Sequence, residues 1–215
     1  MKAILFSLAC LLAVSSVNAQ LKFGVRSNVF TSTNSEQSIT LQNLAPLEII
    51  DFKYQNSNSG YSAGGFVYGS NKFLFFMTEL LYQSNTSNFN LSSDENNLQR
   101  ARSSRDFSVQ KKSIYVPVAA GLRFGNFKVG LGPTFNFALS QSDDIGDLEA
   151  FQIKKDPFES GFQFLVGYSL FDRIHFDLKR EISFSKATDG ITYHDRSIGM
   201  KNSVSKVSLS LGVLF

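Results

Sequence analysis

Past residue 20 the chain alternates apolar and polar side chains with a period of two, the spacing of a strand whose two faces meet different surroundings. Val207, Leu209, Leu211, Val213 and Phe215 are apolar, with Lys206, Ser208, Ser210 and Gly212 between them. Phe127, Val129, Leu131, Phe135, Phe137 and Leu139 share one face, against Lys128, Gly130, Gly132, Thr134, Asn136 and Ala138. Leu21, Phe23, Val25 and Val29 oppose Lys22, Gly24, Arg26 and Asn28. Ile174, Phe176 and Leu178 oppose His175, Asp177 and Lys179. Eight such segments emerge: 21–30, 60–69, 72–84, 113–124, 126–139, 160–170, 173–184 and 204–215. After residue 20 no apolar run is long enough to cross a bilayer as a helix.

The connections alternate in length. Gly69-Ser70-Asn71-Lys72, Gly125-Asn126 and Phe171-Asp172-Arg173 are short and hold the Gly, Asn or Asp that tight turns need. Between them, residues 31–59, 85–112, 140–159 and 185–203 read as long loops rich in Ser, Asn, Gln and Asp. An even number of strands with short turns at one end and long loops at the other describes an eight-stranded antiparallel up-and-down transmembrane β-barrel, all-β, formed by residues 20–215. A soluble barrel would hide the apolar face inside, but several Phe per strand would overfill an interior of eight strands. Glycine and charges of both signs crowd the other face, as a narrow, filled lumen requires. The apolar face therefore points to lipid. Among the lumen-facing charges, Glu79 lacks a partner on its own strand. Lys22, Arg26, Arg123 and Lys128 are the candidate cations for it, with Asp177 a second acid in the same lumen network.

Composition adds to this picture. There are 22 Phe and no Trp among 215 residues, an aromatic richness suited to strands and lipid interfaces. The formal charge of +3 has no clustered basic face, which excludes a nucleic-acid footprint. At the start, Lys2, the apolar stretch from Ala3 to Val14 and the small-residue site Val17-Asn18-Ala19 form a signal peptide over residues 1–19, cut to leave Gln20. Cys10 lies inside the apolar stretch. Ser7 stands where a lipoprotein site favours Leu, so lipidation is not expected, and the exported chain keeps no cysteine for a disulfide. At the other end, Phe215 closes an alternating strand with Val213 and Leu211 before it, similar to the C-terminal insertion signal of bacterial outer-membrane proteins.

Thr78-Glu79-Leu80-Leu81-Tyr82-Gln83 in the third strand, Tyr115-Val116-Pro117 in the fourth and Gly132-Pro133 in the fifth carry a family resemblance. With residues 161–168 and 174–179 of the sixth and seventh strands, they make the chain resemble the PorT-like outer-membrane β-barrel family of Bacteroidota. The resemblance implies a barrel in the cell outer membrane, and the pattern of short turns and long loops puts both termini on the short-turn, periplasmic side. Because that family is named after a component of a secretion pathway, it also implies a role as an accessory subunit of an outer-membrane secretion or assembly machine. Loops 31–59 and 85–112 match nothing in the family.

No catalytic set emerges. His175 falls on the lumen face, and His194 lies in a loop with Asp189, Asp195 and Ser197, where spacing alone sets no triad geometry. Asp143, Asp144, Asp147 and Glu149 make an acidic loop whose spacing departs from a calcium-binding loop. The chain is therefore read as no enzyme, with no cofactor and no metal site. Arg100, Arg102 and Arg105 make the second long loop basic: either a solvated face or a contact for lipopolysaccharide phosphates. The tandem Gly64-Gly65 reads as close packing in a tight wall. Three functional classes follow. The first is a structural or interaction protein binding through its outer loops, the second a narrow channel, the third an outer-leaflet lipid-modifying enzyme. The first is preferred. Its expected partners are outer-membrane lipid, lipopolysaccharide, the β-barrel assembly machinery during insertion, and a protein of an outer-membrane complex; nucleic acid is not among them.

Overall fold

The computed structural model describes residues 20–34, 38–41, 48–54, 58–95, 103–143, 151–153, 157–184, 191–193, 196–198 and 204–215. The signal peptide with Cys10, together with Arg100, Arg102, Asp144, Asp147, Glu149, Asp189, His194 and Asp195, lies outside them. Eight strands make the wall: β1 (Gln20–Asn34), β2 (Asn58–Ser70), β3 (Leu74–Glu95), β4 (Ser103–Phe124), β5 (Phe127–Asp143), β6 (Phe158–Leu170), β7 (Ile174–Ser183) and β8 (Val204–Leu214). Each pairs antiparallel with the next, and β8 pairs with β1, so the sheet closes on itself with no free edge in the wall.

The pairing also fixes the stagger. From Arg180, the row through Val207, Thr31 and Ser59 reaches β3 at Thr86. The opposite way round, through Phe164, Leu131 and Ala120, reaches β3 at Phe76, ten residues lower. Such a stagger tilts the strands by about 40–45° and leaves a bore that side chains can fill.

Three tight turns join the strands at one end. Asn71 accepts from the backbone N–H groups of Phe73 (2.9 Å) and Leu74 (2.7 Å), a side-chain substitute for a turn bond. Gly125 takes φ 61° at the first central position of a two-residue hairpin, where only Gly sits without strain. Phe171 (φ 52°) and Asp172 (φ 53°) both enter the left-handed region, closed by the bond from Arg173 N to Leu170 O.

The opposite end departs from expectation. The stretch 85–112 is not one long loop: β3 runs on to Glu95, β4 starts at Ser103, and the two stay paired as far as Ser93 and Ser103. A shorter strand, Glu48–Tyr54, adds to the far side of β3, and Ser38–Leu41 adds to that one. The hydroxyl- and amide-rich segment hid this extension because a strand standing clear of a lipid belt needs no apolar face. Backbone pairing alone carries it. Arg105 accordingly belongs to β4, opposite Leu91.

The burial pattern is inside out. Along β1 Leu21, Phe23, Val25, Ser27, Val29 and Thr31 are exposed, and Gly24, Arg26, Asn28, Phe30 and Ser32 are buried. Around the wall Phe164, Leu178, Leu209 and Phe124 are also exposed, whereas Arg26, Glu79, Lys128, Asp177 and Lys179 are buried. A contiguous apolar belt of this kind has no counterpart on a protein that lives in water. The interior is not polar throughout, however. At the turn end Phe66, Tyr68, Phe75, Met77, Ala119, Leu165 and Leu214 pack into an apolar plug.

Candidate functional site: a charged lumen

Above the plug lies a layer of charge. Arg26 on β1 sends Nη1 to Glu79 on β3 and Nη2 to Asp177 on β7, each at 2.6 Å. Lys179 Nζ donates to the same Glu79 oxygen at 2.5 Å, and Lys128 Nζ lies 2.9 Å from Asp177 Oδ1. The chain Lys128–Asp177–Arg26–Glu79–Lys179 thus crosses the bore and ties together β5, β7, β1 and β3. Its acids have side chains fully withdrawn from solvent. Carboxylates there are tolerable only because each meets two cations.

The layer rests on the aromatic rings of the plug. Arg26 sits 4.5 Å from the Phe66 ring centre, and Lys128 lies 5.3 Å from that of Tyr68, distances at which a ring face attracts a cation. His175 packs edge-on against Tyr68 at 4.6 Å. Its Nδ1 is 2.7 Å from Lys128 Nζ, and an ammonium can only donate, so Nδ1 accepts and the ring proton belongs on Nε2.

Backbone makes the room. Lys128 on β5 and Asp177 on β7 both stand opposite Gly167 on β6. A Cβ on Gly167 would meet Asp177 Oδ1 at 2.0 Å and Lys128 Cε at 2.5 Å, so the pair closes over a position that must stay bare. On the neighbouring seam the β4–β5 pairing breaks between Pro117↔Thr134 and Ala120↔Leu131, where Pro133 has no N–H to offer. Gln163 covers the gap by donating to Val118 O at 3.2 Å.

A second polar layer lies towards the loop end. Glu181 accepts from Tyr115 Oη (2.6 Å) and Thr134 Oγ1 (2.9 Å) and pairs with Lys206 at 3.3 Å. Lys206 also donates to Gln83 at 2.9 Å and stands 3.8 Å over the Tyr115 ring. At the loop-side mouth Glu159 pairs with Lys111 and accepts from Asn136 at 2.8 Å. Side chains cross the bore in the charge layer and again around Glu181, whereas Glu159, Lys111 and Asn136 stand on the neighbouring strands β6, β4 and β5 and line one side of the mouth. Ser169 Oγ also stands 3.2 Å from His175 Nδ1, the nitrogen that faces Lys128 Nζ, so the described side chains bind and brace one another.

Of the residues assigned to the lumen network, Glu79, Arg26, Lys128 and Asp177 do meet. Arg123 does not. It lies at the turn-side rim, paired with Asp172 and donating to Ser70 Oγ (3.0 Å) and Gly125 O (2.8 Å). Lys22 shares the parity of Arg26 but is half-buried near the rim, with no ion pair among the described residues. Lys179, Glu181 and Lys206 were missed as network members, although alternation already set Lys179 and Lys206 on the polar face. Phe215, Val213 and Leu211 all face outward, Phe215 at 82% exposure, and the Phe215 N–H bonds to Phe23 O at 2.9 Å.

A family model described as an outer membrane protein beta-barrel domain matches residues 15–189. Among solved structures, OprG from Pseudomonas aeruginosa is 10% identical, with 92% of this chain and 97% of that chain covered and a TM-score of 0.48. Ail of Yersinia pestis, in complex with the heparin analogue sucrose octasulfate, is 10% identical over 91% of this chain and 99% of that one, with a TM-score of 0.43. Neisserial surface protein A is 11% identical over 90% and 97%, with a TM-score of 0.34. A comparison with curated proteins found no match.

Proposed function

The chain belongs to the outer membrane protein β-barrel domain family, and on that premise we propose that it is a structural or interaction protein of the outer membrane that works through its loop side. One observation carries this reading: the bore is closed by its own side chains, at the apolar plug, the charge layer and the layer around Glu181, which leaves the loop-side surface to meet partners. The extended β3–β4 hairpin, widened by Glu48–Tyr54, offers that surface as a sheet projecting past the belt. The short turns and both termini face the periplasm in this reading, and the loop side faces outward. The resemblance of residues 78–83, 115–117 and 132–133 to PorT-like barrels of Bacteroidota supports an accessory place in a secretion or assembly machine. Outer-membrane lipid and the β-barrel assembly machinery are the partners during insertion.

Crosslinking in native membranes followed by co-purification tests this. A defined partner should come down with the intact chain and be lost when residues 89–107 are replaced by a short turn. Recovery of the barrel alone under both conditions would overturn the reading. Orientation is read separately, with single cysteines at Ser92 and at Asn126: an impermeant maleimide on intact cells should label only the first. A narrow channel is the second reading, favoured by the polar lining of Gln83, Glu181 and Lys206 in the loop-side half of the bore.

A further inference from the structure

The outward faces of β6, β7 and β8 carry a single charged side chain, Arg180. It stands opposite Phe164 on one side and Val207 on the other, with Leu178 and Ile182 next along its own face. Arg180 is exposed, as are those four, and among the described residues it makes no hydrogen bond or ion pair. A guanidinium stays charged at every accessible pH, so in a lipid belt it must reach an anion or water.

Its height says which way it reaches. Ile174 to Arg180 is six residues, which at about 3.3 Å each and a tilt near 40–45° climbs about 15 Å, just past the middle of a belt about 25 Å tall. Towards the turns its outward neighbours are Leu178, Phe176, Leu209 and Leu211. Towards the loops, β8 offers Ser205 and β1 offers Thr31, both outward-facing hydroxyls. A long side chain lying on apolar surface with its head in the polar zone is the expected posture.

We propose that Arg180 is the anchor of a lipid-binding site on the outer wall, holding the headgroup phosphate of one outer-leaflet lipid, with its acyl chains along Leu178 and Phe164. The planar fork matches two phosphate oxygens, and Ser205 and Thr31 stand where further donors are needed. The leaflet rests on the reading above that the loop side faces outward; the binding itself does not.

Native mass spectrometry of the full barrel in micelles tests the site, since micelles have no leaflets. Doped with bis-phosphorylated lipid A, the wild-type protein should retain one molecule. Arg180→Gln, checked as folded by its heat-shifted gel mobility, should lose about tenfold in retention, the scale of one charge-assisted contact. Arg180→Lys should keep part of the binding, and dephosphorylated lipid A and phosphatidylcholine should not be retained. Excess inorganic phosphate should displace nothing. Equal retention by Arg180→Gln, retention of the dephosphorylated lipid, or displacement by free phosphate would each overturn the site. Equal retention of phosphatidylglycerol would overturn its assignment to an outer-leaflet lipid. Labelling of Asn126 rather than Ser92 on cells would move the site to the other leaflet and leave the binding result untouched.

Discussion

Lys128 and Asp177 form an ion pair at 2.9 Å although their strands, β5 and β7, do not touch. Gly167 of the intervening β6 stands opposite both, and the two side chains join above its backbone. The pair therefore depends on a residue that contributes no side chain at all.

Gly167→Ala should accordingly destabilise the barrel by about 1–3 kcal/mol, the usual effect of forcing a methyl group into a filled interior. Gly65→Ala serves as the control. A Cβ there meets nothing nearer than Gly24 O at 3.8 Å, so the change should stay within about 0.5 kcal/mol. Urea unfolding followed by gel mobility measures both, and equal losses would show that the gap over Gly167 is not what matters.

Glu79→Gln removes the acid that Arg26 and Lys179 share. With both partners shielded from water, the expected loss is about 3–5 kcal/mol, because Lys179 loses its acid and Arg26 keeps only Asp177. A loss of about 1 kcal/mol or less would mean that water reaches the layer and screens it. Lys22→Gln, at a half-buried residue with no ion pair among those described, should change stability by less than about 0.5 kcal/mol.

Planar-bilayer recordings of the purified barrel should show no stable open conductance, since eight strands leave a bore that side chains fill. The apolar plug and the charge layer lie in series, so neutralising Glu79 alone should not open it. A large steady current from wild-type protein would refute the closed lumen and favour the channel reading.

Deleting Phe215 should lower the yield of inserted barrel while export continues. Its ring is exposed on the outer wall, and its N–H closes onto Phe23 O. Cell fractionation combined with heat-shifted gel mobility checks this. Normal insertion of the shortened chain would show that the terminal aromatic is no signal.

Period-two alternation made all eight strands and the identity of each face legible within the belt, because a wall between lipid and a packed bore demands opposite chemistry at successive residues. Where that demand ends, so does the signal. The upper halves of β3 and β4 have no lipid to face, and their polar side chains read as loop. Within the bore, parity told which residues point inward but not which of them meet. Arg26 and Arg123 are both inward by parity, yet the stagger of ten residues carries Arg26 to Glu79 and leaves Arg123 at the rim beside Asp172. Arg180 was invisible for the opposite reason: a single charge inside an alternating apolar run looks like an interruption until the outer wall is assembled around it.

Seven of the eight pairings join strands that are neighbours along the chain. The eighth joins Gly24 to Leu214, 190 positions apart. That one seam has by far the highest contact order in the wall, and the loop-closure entropy for it falls due only after the other ladders exist. Until it forms, β1 and β8 are raw edges in a solvent that cannot hydrogen-bond them. Closure is therefore a late, all-or-nothing event, and the β1–β8 edges are where an assembly factor would have to hold an unfinished barrel.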